Sequence, residues 1–311
     1  MIGRTIEISS AARLSVAHRQ LIIERNGHPA ASVPIEDIGI LVVDNPAVSY
    51  SHTVFTALAE AGGIAVLCDK FHLPCVLMQP QVGHTTQTER QRAQTGAPEA
   101  LRERLWGSLV ASKLRMQALV LAETTGSEWG MTAMAGRVRP GDPTNLEAQG
   151  AQRYFARVFG SGFRRDRGGD APNHLLNYGY MVVRAAVARG LAGSGLLPSL
   201  GLHHRNRGNP FCLADDMIEP YRPLIDYKVL GLIREGRGNE ELGPYSKQVL
   251  LSVFNEVVPT SSGVRNPVSL TIQRGAASLA QAFMSGTLDL TVPTGLPVSE
   301  SDDGDEEDND T

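Results

Sequence analysis

Residues 98–123, PEALRERLWGSLVASKLRMQALVLAE, decide the fold. Pro98 opens the segment, and Leu105, Leu109, Leu114 and Leu119 with their neighbours form a broad apolar stripe at helical spacing. Upstream the pattern is different. RLSVAHRQLIIER (13–25) gives two β-rich runs around a polar turn, and Asn26-Gly27 marks another turn. IEDIGILVVDN (35–45), GIAVLCD (63–69) and LPCVLMQP (73–80) carry apolar runs of strand length. Between the first two, HTVFTALAEAGG (52–63) has helical spacing and stops at a glycine pair. Downstream the helical period persists in NHLLNYGYMVVRAAVARG (173–190), expected to stop at Gly190, in IDYKVLGLIREG (225–236) and in AASLAQAFMSG (276–286). The expected fold class is therefore α+β. An N-terminal β-rich, sandwich-like domain spans 1–82 and a larger all-α domain spans 99–290. The polar stretch QVGHTTQTERQRAQTGAPE (81–99) supplies a linker over 83–98. No repeat of fixed period is present.

Composition narrows the class. At 311 residues with 42% hydrophobic content the chain can bury a sizeable core, while 5% aromatics argue against an aromatic-rich binding surface. No apolar run reaches the roughly 18 residues of a membrane span. The opening MIGRTIEISS lacks the charged-then-apolar pattern of a signal peptide. Cys68, Cys75 and Cys212 form no CxxC pair and no disulfide framework, so a cytoplasmic, reducing location is expected. The formal charge of −4 is dominated by ESDDGDEEDNDT (300–311), which holds eight acids and no base. Without it, 29 basic residues face 25 acidic ones, a mild positive excess. Residues 291–311 are expected to be a disordered acidic tail that solvates itself or competes for a basic groove.

Three stretches of the helical half could carry chemistry. In GDPTNLEAQGAQRYFARVF (141–159), residues 151, 154, 155 and 158 share a helical face with Glu147, which aims its carboxylate at the buried side. The same letters fit a capping box, with Thr144 as N-cap and Glu147 as its reciprocal partner, and both readings stand. In GLHHRNRGNPFCLADDMIEPYRP (201–223), Asp216 and Glu219 follow His204 by twelve and fifteen residues. Their i, i+3 spacing puts both acids on one helical face, where they also suit a helix N-terminus. His203 and His204 lie in a glycine-punctuated loop with no packing duty, free to act as ligands or to stay structural. If the carboxylates and one imidazole converge, the oxygen and nitrogen donors suit Mg²⁺ or Mn²⁺ better than zinc. Finally, Arg164, Arg165 and Arg167 in FRRDRGGD (163–170) offer guanidinium groups for phosphates, or a solvated loop.

Taken together these motifs resemble a known family. EAQGAQRYF from Glu147, DAPNHLLNYGY from Asp170, GLHH ending at His204 and LADDMIEPYRP from Leu213 occur in the order and spacing of the CRISPR-associated adaptation integrases, with the last closest to type II forms. VPIEDIGILVVDN and GIAVLCDKFHLP look like that family's N-terminal strands, so the likeness covers about residues 4–285. The acidic tail has no part in it. The resemblance implies that Glu147, His204 and Glu219 hold a divalent ion, Mg²⁺ or Mn²⁺, in a catalytic helical domain. Asp216 would line that site, and His203 is the residue one register away. It further implies metal-dependent insertion of prespacer double-stranded DNA into a CRISPR array by attack of a 3′-hydroxyl at the leader–repeat border. Expected partners are a second copy through the β-domain and a small second adaptation subunit completing a heterohexamer in a prokaryotic cytoplasm. A stand-alone nuclease on branched or single-stranded DNA and a catalytically silent DNA scaffold remain the alternatives.

Overall fold

The computed structural model describes residues 3–81, 83–166 and 168–297. Strands β1 (Arg4–Ile8), β2 (Arg13–Ala17), β3 (Gln20–Glu24), β4 (Ala31–Pro34), β5 (Ile38–Val43) and β6 (Ser49–Tyr50) come first. Helix α1 (His52–Glu60) then leads into β7 (Ile64–Cys68) and β8 (Pro74–Met78). Among the described residues these strands form two four-stranded sheets, ordered β1-β5-β7-β8 and β4-β3-β2-β6. The β2–β3 hairpin turns through His18 and Arg19, both at positive φ, as a two-residue hairpin loop of matching twist requires.

The helical part follows: α2 (Gln87–Thr95), α3 (Glu99–Thr125), α4 (Met131–Ala135), α5 (Leu146–Val158), α6 (Asn173–Gly193) and α7 (Cys212–Met217). A 3₁₀ turn over Glu219–Tyr221 joins α7 to α8 (Arg222–Arg234). Then come α9 (Pro244–Leu251), the small ribbon β9 (Val257–Pro259) with β10 (Arg265–Pro267), and α10 (Val268–Ser285). The α+β class is as expected.

The join between the two halves is a shared sheet. β5 is buried at all six positions. Ile38, Leu41 and Val43 pack between the sheets with Leu14, Leu21, Val54 and Leu58, whereas Ile40 and Val42 enter the helical core with Ile64 and Val66. Two buried faces explain its unbroken apolar sequence, since strand residues alternate between them. α3 runs through the centre of the helical core, against α4, α5, α8 and the Glu219–Tyr221 turn. α6 packs on α10, α7, α8 and α9, and touches β8.

Four local expectations change. The polar stretch expected as a linker contains α2, whose Gln94 is buried and hydrogen-bonds Leu197 through both its N–H and its carbonyl, and the Leu200 carbonyl. Its polarity serves those backbone groups. α6 continues past Gly190, which lies against Ile272 and Ala276 of α10 and marks a close helix crossing rather than a stop. Leu119 faces solvent at 38% exposure, because the apolar face of α3 has turned away from it. Residues 291–297 are not tail-like: Val292 is buried and Thr260 pairs with Pro293. The acidic run 300–311 lies outside the described residues.

A buried polar knot also bridges the halves. Lys247 of α9 contacts Asp44 after β5, lies 3.9 Å from Glu7 of β1, and sits over the Tyr178 ring of α6. His72 Nδ1 is 3.0 Å from Asp44, and the Tyr178 hydroxyl donates to Glu7 at 3.5 Å. Burial pushes the Glu7 carboxyl up to about 7, against the pull of Lys247. A raised carboxyl favours the protonated native state, so its contribution falls as pH rises from about 4.5 to 7. Glu7→Gln should therefore match the parent protein at pH 4 and melt higher than it at pH 8. Thermal melts at the two pH values check this.

Candidate active site

Lys113 is the centre of the site, and sequence reading passed over it. It lies on α3 one turn after Leu109, on the core-facing side, and is 6% exposed. Its ammonium contacts both Glu147 Oε1 and Glu219 Oε2. The signal was available: a lysine inside the apolar stripe SLVASKLRM has to find an anion. The paired carboxylates hold the lysine above its usual pKa against the cost of burial.

Glu147 is delivered by the first turn of α5, but not as a cap. Asn145, at φ 52°, is the N-cap and accepts from the Ala148 N–H at 3.3 Å. Asp142 accepts from the Leu146 and Glu147 N–H groups, both at 2.9 Å. With the terminal donors satisfied by these residues, the Glu147 side chain is free to face the cavity. Thr144 caps nothing through its side chain.

Glu219 and Asp216 are both buried yet serve different partners. α7 ends at Met217 and the 3₁₀ turn starts at Glu219, so the two acids come from successive elements of one helical path. Glu219 accepts from Arg222 Nε at 2.8 Å and contacts Lys113. These two cations overcome the penalty of burial and lower its carboxyl to about 2. Its Oε2 is buried and accepts from the Lys113 ammonium.

Asp216 is fully buried and organises the histidine loop. It accepts from the backbone N–H of Leu202 at 2.6 Å, His203 at 3.1 Å and His204 at 3.2 Å. Its Oδ1 also lies 2.6 Å from His204 Nδ1, which raises the imidazole pKa. Gly201 permits this wrap: a Cβ there would stand 2.4 Å from the His204 carbonyl oxygen and 2.8 Å from Asp216. His203 instead stacks flat on Trp106, centroids 4.5 Å apart, while His204 meets that indole edge-on. A carboxylate on Nδ1 leaves Nε2 as the available nitrogen, the arrangement seen in metal-binding histidines.

The expected ligands thus form two groups. Glu147 and Glu219 line a cavity of about 620 Å³ with Phe155, Phe163, Arg164, Arg165 and Arg222. His204 lines a separate cavity of about 880 Å³ beside Arg102, Arg205 and Arg207. Among the described residues no three His, Cys, Asp or Glu side chains are drawn into one metal-sized cluster. The carboxylate pair itself fits a cation, because it already holds one in the Lys113 ammonium. Arg165 is braced rather than free, donating to Asn173 at 3.0 Å and Asn177 at 2.7 Å beside the Tyr180 ring. Arg164 lines the cavity, and Arg167 lies outside the described residues.

A further acid escaped the sequence reading. Asp226 of α8 is buried on the same cavity wall, accepts from the Tyr180 hydroxyl, and is pushed up to about 6 by burial. It follows Glu219 by seven residues, two helical turns, which was the clue.

The family model for "CRISPR associated protein Cas1" matches residues 7–139 and 143–252. The CRISPR-associated endonuclease Cas1 of Neisseria meningitidis is 40% identical over 258 residues, covering 82% of this chain and 84% of that protein. The chain belongs to the Cas1 family. Among solved structures, a casposase bound to integration product superposes with a TM-score of 0.76 at 18% identity, covering 93% of this chain and 92% of that one. A Cas6-RT-Cas1–Cas2 complex gives 0.73 at 14% identity, covering 96% of this chain and 36% of that one. At such identities the two likenesses speak for the Cas1 fold. Among the described residues no helix is long and apolar enough to cross a membrane.

In this Cas1 family member the Asp216 carboxylate is the support of the His204 loop. Asp216→Asn would set an amide N–H against backbone donors and cost on the order of 3 kcal/mol. The expected outcome is a lower melting temperature together with a His204 pKa that falls back toward 6.5, followed by NMR titration of the imidazole.

Proposed function

We propose that this Cas1 family member is a divalent-metal-dependent DNA integrase that inserts prespacer DNA into a CRISPR array. The observation carrying this reading is the convergence of Glu147 and Glu219 on one buried cation beside an arginine-lined cavity. Glu147, Glu219 and His204 Nε2 are the proposed ligands of Mg²⁺ or Mn²⁺. When bound, such an ion neutralises charge at the scissile phosphate and on the displaced oxygen. Asp216 holds the tautomer and direction of His204. Arg164 and Arg222 supply positive charge along the cavity wall, and Arg165 steadies it.

The reaction is a transesterification. A prespacer 3′-hydroxyl attacks a phosphorus at the leader–repeat border, a new P–O bond forms, and the old P–O3′ bond breaks. The departing 3′-oxygen takes up a proton. Bond count is conserved, so no external energy source is needed. Water in place of the 3′-hydroxyl makes the same site a nuclease, in keeping with the endonuclease name of the Neisseria relative.

The casposase with its integration product and the Cas1–Cas2 assembly among the structural neighbours support double-stranded DNA and a small second adaptation subunit as partners. The N-terminal lobe, residues 1–82, is the proposed surface for a homodimer within a heterohexamer. A prokaryotic cytoplasm is the proposed setting.

Strand transfer of a labelled duplex with 3′ overhangs into supercoiled plasmid tests the reading. With Mn²⁺ and the partner subunit, joined product is expected, and chelator should abolish it. Glu147→Ala and His204→Ala should each reduce joining by at least about 100-fold with DNA affinity kept, because ligands act in the chemical step. His203→Ala should remain active. Hydrolysed plasmid without joined product would favour the nuclease, and metal-independent binding alone would favour the scaffold.

A further inference from the structure

We infer that Lys113 is an internal counter-cation that occupies the carboxylate pair in the resting protein and is displaced from it by the divalent ion. The inference rests on the assignment of Glu147 and Glu219 as ligands. Their oxygens, Glu147 Oε1 and Glu219 Oε2, are the atoms that the Lys113 ammonium contacts. Glu219 Oε2 has no hydrogen bond that would hold it elsewhere. The opposite oxygen, Oε1, is taken by Arg222 at 2.8 Å. An incoming dication and the ammonium therefore claim the same two oxygens, and like charges at contact distance repel strongly in a buried setting.

Lys113 has somewhere to go. Its ammonium ends a flexible four-carbon stem, and it lines the 620 Å³ cavity together with Gln117, one turn further along α3. Out of the carboxylate pair it still faces that cavity, where the proposed substrate phosphates lie. The resting lysine has a clear benefit for the apoprotein. Glu219 is 5% exposed and Glu147 is only partly open, so two facing carboxylates without a cation would be costly. Metal affinity then carries a competition cost. The apparent dissociation constant is the intrinsic one divided by the fraction of molecules whose carboxylates are free.

The test uses the full chain and Mn²⁺ alone, with binding read by electron paramagnetic resonance of free Mn²⁺ and by calorimetry. Lys113→Met should bind Mn²⁺ at least about tenfold more tightly than the parent protein, since the competitor is gone. The same variant should melt lower in chelator and gain more from Mn²⁺ than the parent does. Lys113→Gln, whose amide keeps a donor in place, provides the measurement if the methionine variant is poorly folded by circular dichroism. Lys113→Arg retains the charge and should bind no more tightly than the parent. A purely structural lysine predicts lower stability with unchanged or weaker Mn²⁺ affinity in both neutral variants, and that outcome overturns the inference. Glu147→Gln separates this failure from failure of the ligand assignment. If the parent binds Mn²⁺ and Glu147→Gln does not, the ligands stand whatever Lys113 does. If neither the parent nor Lys113→Met binds at millimolar Mn²⁺, both readings fall.

Discussion

The ammonium of Lys113 ties together three segments distant in sequence: the middle of α3, the first turn of α5 and the turn after α7. A buried charge is tolerated only when paired, so its position dictates where Glu147 and Glu219 can lie. From Glu219 the linkage continues to Arg222, whose guanidinium stands over the Tyr180 ring, and Tyr180 donates to Asp226. The result is one connected polar unit inside an apolar bundle. Energies of its members are not separable, because removing any one changes the pairing of the neighbours it leaves buried.

What gives this unit a rigid frame is the sheet shared by the two halves. β5 contributes alternate side chains to the sandwich core and to the helical core, so neither half keeps its hydrophobic surface if parted from the other. The knot of Glu7, Asp44, His72, Tyr178 and Lys247 adds directional contacts along the same seam.

Much of this was legible before any coordinates. Periodicity separated strands from helices, and IGILVV read as an apolar run of strand length, which the structure covers on both faces. Glu147, Glu219 and Asp216 were recognisable as inward-facing or first-turn acids. The failures have physical reasons. Thr144 satisfied the letters of a capping box, but Asn145 and Asp142 adopt positive φ, which their short polar side chains tolerate, and they take the caps. The supposed linker looked unpacked because Gln94 makes its bonds to a loop a hundred residues away. Lys113 and Asp226 were overlooked because a charged residue in an apolar run is visible in sequence while its partner is not.

The sequence suggested three ligands awaiting a metal, whereas the structure shows two locally neutralised halves. One half is the carboxylate pair with Lys113 and Arg222, and the other is His204 with Asp216. Each half satisfies its charges without the other, which lets the chain fold without depending on an ion. On the proposed ligand assignment, the same neutralisation would raise the threshold for metal entry, because a dication would have to outcompete an ammonium already in place. Stability in the resting state and affinity for the proposed ion would then oppose each other at the same two oxygen atoms. On that assignment the full constellation would form only when more positive charge arrives than one lysine supplies, which is the charge the proposed divalent ion carries.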